Sequence, residues 1–257
     1  MISYCVVCFR AKYGIMQLED LIAKTTVPYE ILLWVNTADP SIVEFARSKI
    51  AQGAPIHILG ITPQNIGMRA FKTLFQNAHY PMIVQTDDDV LCVSRRIAEK
   101  AWDIFQRRVE VRQIVADTFQ DDWTNGARAG MGNYKLESAA DGLYEGPIDG
   151  WFSIYHREAL PALMAAPYSQ YFYLGIWMRA RLRAVHNMKG LLCTKFKVFH
   201  ASGPYYAAAF GMTDFECRKY QAVGRHEVAK TYAGIPKPPA GELDRRLAGI
   251  RAHLDKF

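Results

Sequence analysis

The stretch Tyr80-Pro81-Met82-Ile83-Val84-Gln85-Thr86-Asp87-Asp88-Asp89-Val90 decides how this chain reads. Its apolar half has the length and composition of a strand buried on both faces, and it runs straight into three consecutive carboxylates. Adjacent carboxylates repel, so the cluster costs stability unless something positive neutralises it. Hard divalent cations do so: Mg²⁺ and Mn²⁺ take one or two protein carboxylates and leave their other positions to water and phosphate oxygens. If the strand persists through the acids, alternation turns Asp87 and Asp89 one way and Asp88 the other. An Asp-x-Asp pair of this kind can share one ion. The competing reading is a solvated turn that caps the next helix, where Asp is favoured.

Outward from this stretch, strands and helices alternate. Residues 2–9 and 30–35 read as buried strands, and 56–59 as a third. Between them Ile15, Leu18, Leu21 and Ile22, then Ile42, Val43, Ala46 and Ile50, recur at helical spacing, with Pro28, Pro40 and Gly53 as punctuation. Residues 65–78 carry Ile66, Ala70, Phe71, Leu74 and Phe75 on one helical stripe. This order predicts an α/β fold with a mostly parallel, Rossmann-like sheet and helices on both faces. Ligands of such sheets sit beyond the carboxyl ends of the strands, where the three acids fall. Downstream, helices are predicted over 94–105, 157–165 and 169–185, and strands over 111–116, 151–155 and 191–199. Residues 118–147 are polar and glycine-rich without periodicity, as in a binding loop or lid. A charged tail, helical at both ends, is interrupted by Ile235-Pro-Lys-Pro-Pro-Ala.

Of the 257 residues 50% are hydrophobic and 22% charged, which excludes a disordered chain. No stretch approaches the roughly 20 uncharged apolar residues of a transmembrane span. The first residues read as a strand rather than a signal peptide, so a cytoplasmic location is expected. The net charge of +6 favours anionic ligands without choosing among them. Cys5 and Cys8 form a lone C-x-x-C inside an apolar run, with no second pair at zinc spacing, and all five cysteines are expected to be reduced thiols.

Four features together resemble a nucleotide-sugar-dependent glycosyltransferase of the GT-A fold, closest to family 2. They are SYCVVCFRAKYGIMQLEDLI with PYEILLWVN; Asn65-x-Gly67-x-x-Ala70; YPMIVQTDDDV; and GLLCTKFKVFHASG. The likeness spans roughly residues 2–206, and its force lies in the agreement of order and spacing. It implies a domain over 1–210, with a nucleotide-sugar-binding half (1–92) and an acceptor-side half (93–210), and a C-terminal helical extension over 211–257. It also implies roles. Asp87 approaches the donor ribose or base; Asp89, with Asp87 or Asp88, and His200 bind Mn²⁺ or Mg²⁺ on the diphosphate. Phe9 and Arg10 line the nucleotide pocket, and Asn65 belongs to the donor side. Asn36 stands where the family commonly has a base-reading Asp, and Arg69 is a phosphate partner or an exposed helix arginine.

The implied activity is metal-dependent transfer of a sugar, from a UDP-sugar by expectation, to an acceptor hydroxyl. Here the sequence departs from the family. The usual Glu-Asp pair aligns with Leu174-Gly175, neither of which can be a base, and Asp149 is the substitute expected to deprotonate the acceptor. Alternatives stay open: a retaining enzyme, a non-catalytic nucleotide- or polyanion-binding module, or a nucleotidyltransferase, which usually has a glycine-rich loop that CFRAKYGIM lacks. Arg179, Arg181 and Arg183, with Tyr168, Tyr171, Tyr173 and Trp177, form either a solvated face with core aromatics or a polyanion contact. The acceptor is open among a glycan, a lipid-linked sugar, a protein and a modified nucleic-acid base.

Overall fold

A computed structural model describes all residues except 125–127, 170–173 and 223. The first half builds β1 (Ile2–Cys8), α1 (Ala11–Lys24), β2 (Tyr29–Val35), α2 (Ser41–Ala51), β3 (Ile56–Ile61), α3 (Arg69–Gln76) and β4 (Met82–Asp87). These follow the predicted alternation. The chain then reverses through β5 (Val90–Val93) into α4 (Ile97–Arg107) and β6 (Val111–Thr118). A hairpin of β7 (Lys135–Ser138) and β8 (Leu143–Glu145) leads to β9 (Phe152–His156), α5 (Leu160–Met164), α6 (Leu174–His186) and β10 (Lys189–His200). Four helices close the chain: α7 (Pro204–Phe210), α8 (Thr213–Ala222), α9 (His226–Ala233) and α10 (Glu242–Leu254).

The strands form one sheet in the order β3-β2-β1-β4-β9-β6-β10-β8-β7, with β5 also on β10. Six long strands, β1 to β4, β6 and β10, point the same way, and β9 lies between β4 and β6 running against them. That insertion has a consequence for the site: the start of β9 reaches the same edge as the ends of its neighbours. Alternation along β1 separates two cores. Tyr4, Val6 and Cys8 pack with α1, α2 and α4, whereas Cys5 and Val7 pack with α3, α5 and α6. Cys5 and Cys8 therefore lie on opposite faces, and all five cysteines are free. A third core joins Leu247, Ile250 and Leu254 of α10 to Phe199, Tyr206 and Leu91, fastening the C-terminal helix to the ends of β10 and β5.

Two differences from the sequence reading have clear causes. The helix predicted over 65–78 begins only at Arg69. Gly67 takes φ +59°, a conformation that favours glycine, and the Asn65 carboxamide accepts from its N–H, so residues 65–68 turn instead of winding. The segment 118–147 contains the β7–β8 hairpin, whose short strands leave Lys135 and Leu136 exposed and so lack an alternating apolar signal.

Candidate active site

The ends of β1, β4 and β10 and the start of β9 meet around a cleft of about 500 Å³. Each acid of the triplet has a different task. Asp88 is fully buried; its Oδ2 accepts from the backbone N–H groups of Phe9 (3.0 Å) and Arg10 (2.8 Å), and its Oδ1 from Arg10 Nε (3.0 Å). It therefore pins the β1–α1 loop and turns away from the other two. Asp87, Asp89 and His200 each offer a ligand atom, and these atoms lie within 4.8 Å of one another. The strand does not persist through the acids as the alternation required: β4 ends at Asp87, and a turn at Asp88 and Asp89 brings Asp89 back beside Asp87.

Backbone pairing brings His200 to this place. β10 runs antiparallel to β5, with His200 opposite Val90, and the Ala201 N–H donates to the Asp89 carbonyl at 2.8 Å. From the opposite side Gln17 of α1 donates to the Asp87 carbonyl (2.6 Å) and to Thr86 Oγ1 (2.9 Å), fixing the strand end. Sequence reasoning missed Gln17, because a polar residue in a helix carries no mark of the strand it will meet.

The donor set fits a hard or borderline divalent ion: two carboxylates and one imidazole. A structural observation supports the fit. Asp89 Oδ1 and His200 Nδ1 are buried without a hydrogen-bond partner, although His200 Nε2 lies 3.0 Å from that same oxygen as a charge contact. Buried polar atoms are normally satisfied, and unsatisfied ones mark a strained or ligand-receiving place. Burial first, and the neighbouring Asp89 next, push the Asp87 carboxyl up to about 7. Burial alone would raise Asp89 too, but Arg10 and His200 hold it well below the usual carboxylate range. For His200, burial opposes protonation, yet Asp89 and Asp87 overcome it and raise the imidazole. A metal needs all three groups without their protons. We expect Mn²⁺ affinity, measured by calorimetry without nucleotide, to fall about tenfold or more per pH unit below about 7. A flat profile between pH 5.5 and 7 would show that Asp87 is not a ligand.

Arg10 does not face the cleft as a free cation. It is 6% exposed and bridges Asp88, Asp89 Oδ2 (2.8 Å) and Glu216 Oε1 of α8 (2.9 Å). Phe9 stacks on Phe215 of the same helix, with centroids 5.5 Å apart. Through these contacts the segment after residue 211 becomes a wall of the cleft, contributing Glu216, Lys219, Tyr220, Arg225 and Tyr232. None of these was singled out in the sequence, since the Asp87–Asp89 triplet lies more than a hundred residues earlier.

Asn36 and Arg69 do not line the cleft. Asn36 is 2% exposed, accepts from Thr62 Oγ1 (2.7 Å) and Ile66 N (3.0 Å), and donates to Asn65 Oδ1 (2.8 Å). Its amide is occupied in holding the 62–68 turn, and Asn65 is the member of the pair that reaches the cleft wall. Arg69 is exposed at the start of α3. Tyr171 and Tyr173 fall outside the described residues, and Tyr168 packs against the α3–α5–α6 core.

Asp149 precedes β9 and lines the cleft with Asp87, Asp89 and His200. Burial raises its carboxyl, although Oδ1 accepts from the Gly150 N–H at 2.7 Å. Leu174 is buried, and Gly175 presses on this very segment: a Cβ there would lie 2.3 Å from the Asp149 carbonyl carbon. The place where the resemblance expects an acid pair thus touches the residue expected to replace it. Gly175→Ala should cost about 1–3 kcal/mol by overpacking. An unchanged thermal midpoint would show that the backbones can part.

No family model matches the chain, and no curated protein sequence does. Solved structures do match. The chain is similar to residues 1–349 of TarS from S. aureus in complex with UDP-GlcNAc, at 11% identity over 90% of this chain and 71% of that one, TM-score 0.57. It is similar to the mannosyltransferase PcManGT from Pyrobaculum calidifontis, solved with GDP-Man and Mn²⁺, at 12% identity over 98% of this chain and 69% of that one, TM-score 0.54. GalNAc-T7 with UDP, GalNAc and Mn²⁺ matches at 11% identity over 78% of this chain and 43% of its own, TM-score 0.58. The fold is that of the GT-A nucleotide-sugar glycosyltransferases. No described helix is long and apolar enough to cross a membrane.

Proposed function

We propose that the protein transfers a sugar from a nucleotide-sugar donor, with a UDP-sugar the first to test, to an acceptor hydroxyl, using Mn²⁺ or Mg²⁺ held by Asp87, Asp89 and His200. The observation that carries this reading is the meeting of those three groups, with the buried His200 Nδ1 unpartnered, at the carboxyl edge of a GT-A sheet. A bound metal would act as a Lewis acid on the leaving diphosphate. The protein's own part is to receive and orient the donor. Lys219, which is paired with Glu216, and Arg225 line the same cleft and would meet an anionic ligand there, and Phe9 would lie beside the nucleotide. Asp88 and Gln17 keep the two walls in register. Asp149, its carboxyl raised by burial, would take the acceptor proton.

The test is a donor panel read as release of nucleoside diphosphate, with and without Mn²⁺. In the active pair, Asp149→Asn should lower turnover about a hundredfold while nucleotide affinity stays unchanged. Equal loss of binding would make Asp149 part of the donor pocket instead. The absence of an acid at Leu174-Gly175 favours one second reading, a binding module without turnover. Tight metal-dependent UDP binding with no release from any donor would establish that one. The acceptor, whether glycan, lipid-linked sugar, protein or modified nucleic-acid base, is left to that assay.

A further inference from the structure

The acceptor-side helix α6 has a surface that the transfer reading does not use. Its buried face is Leu174, Gly175, Met178 and Leu182. The opposite face carries Ile176, Ala180 and Ala184 at intervals of four, one above another, and Ile176 is 53% exposed. Arg179 and Arg183 flank this apolar stripe on one side. On the other stand Trp177 and Arg181, whose guanidinium lies 6.0 Å from the Trp177 ring centre. The helix contains no carboxylate over its thirteen residues, in a chain with 25 acidic residues. Apolar surface continues beside it: Met188, at the foot of α6, lines an open groove with Leu160, Pro161 and Met164.

We propose that this face of α6 is a docking surface for an anionic lipid membrane. A helix lying in a membrane interface needs an apolar stripe bordered by arginines whose heads reach back to the phosphates; α6 supplies the stripe with the exposed Arg181 beside it, while Trp177 packs partly against the core. The charge balance selects the kind of surface. Arg183 is paired with Glu145, and Arg179 donates to the Gly146 carbonyl, but the face as a whole has more cations than anions. A nucleic acid would use the same arginines and would leave the Ile176–Ala180–Ala184 stripe against water or phosphate, which costs the apolar contact. A zwitterionic surface would offer no net negative charge to match that excess of cations. The helix is also continuous with the site: its first turn holds Gly175 against the backbone of Asp149. That the acceptor is presented at such a surface rests on the transfer reading; the membrane contact does not.

The experiment is sedimentation of the full chain with vesicles, without donor or metal. Vesicles of phosphatidylcholine with about one-third phosphatidylglycerol should bind the protein, more weakly as salt rises, and pure phosphatidylcholine should not. Arg181→Gln should lower the partition coefficient about fivefold. Ile176→Asp should lower it about tenfold or more. Both sites are exposed, so the thermal midpoint should not move, and Mn²⁺–UDP binding by calorimetry should be unchanged in both. Equal binding to neutral vesicles, or partition indifferent to both substitutions, overturns the proposal. So does Arg181-dependent binding of a DNA duplex with no vesicle binding, which would assign the face to nucleic acid. Loss of Mn²⁺–UDP binding in the unaltered protein would sink the transfer reading and leave the vesicle result standing.

Discussion

Replacing Asp89 by Ala is expected to remove metal-dependent nucleotide binding, lowering UDP affinity in the presence of Mn²⁺ by more than about 100-fold. Changes one layer outside a metal centre already cost about 10–100-fold, and Asp89 is placed to touch the ion itself. Its Oδ1 is buried without a hydrogen bond, and its Oδ2 is held 2.8 Å from Arg10. Losing it leaves Asp87 and His200 as an incomplete set beside Arg10, which Asp88 and Glu216 still hold in place, so an approaching cation meets a guanidinium with one acid fewer to offset it. Calorimetry of UDP with and without Mn²⁺ isolates the effect, since metal-independent contacts with the nucleoside should survive. If the metal-dependent part persists in Asp89→Ala, the cluster is not the metal site and the proposed activity loses its main support.

The second large effect concerns stability. Arg10→Met should destabilise the protein by about 3–5 kcal/mol, the usual cost of removing one partner from a buried ion pair. For a chain of this size that lowers the thermal midpoint by about 10 °C. The reason is the number of carboxylates that depend on Arg10: Asp88 at 0% exposure, Glu216 at 4% and Asp89 at 8%. Methionine fills the volume but leaves these acids facing one another in a low-dielectric interior. A double-mutant cycle makes the argument specific. Once Arg10 is gone, Glu216→Gln should cost far less than it does alone, because the buried charge it removes has lost its Arg10 partner and keeps only Lys219. Additive losses would mean that Arg10 acts through packing of its stem on Phe9 and Tyr13, over which its guanidinium lies.

The two effects are coupled through one chain of alternating charge, from Lys219 through Glu216 and Arg10 to Asp89 and His200. The C-terminal wall of the cleft is thereby tied to Asp89 and His200 by ion pairs rather than by a shared strand. Altering α8 should therefore be felt at the proposed metal and nucleotide site, although α8 contributes nothing to the sheet.

What the sequence determined by itself was local. Apolar runs of strand length, helical stripes and proline or glycine stops placed β1 to β4 and the helices between them, because hydrophobic periodicity is a property of neighbours along the chain. The same locality made the Asp-x-Asp pair legible at a strand end, although the strand stops at Asp87 and a turn sets Asp89 beside it. Tertiary structure alone decided which partners meet across long separations. Asn36 reads in sequence as a base contact, but the fold spends its amide on the 62–68 turn. Arg10 and Asp88 read as donor contacts and do line the cleft, but only the fold shows that they pair with each other and that Arg10 pairs with Glu216, 206 residues away, bracing it. The reversed strand β9, which delivers Asp149 to the edge, carries no mark of its direction in its five residues. Direction, like charge pairing across the sheet, is fixed by the packing that satisfies the most backbone and buried polar groups at once, and no short stretch of the chain contains that information.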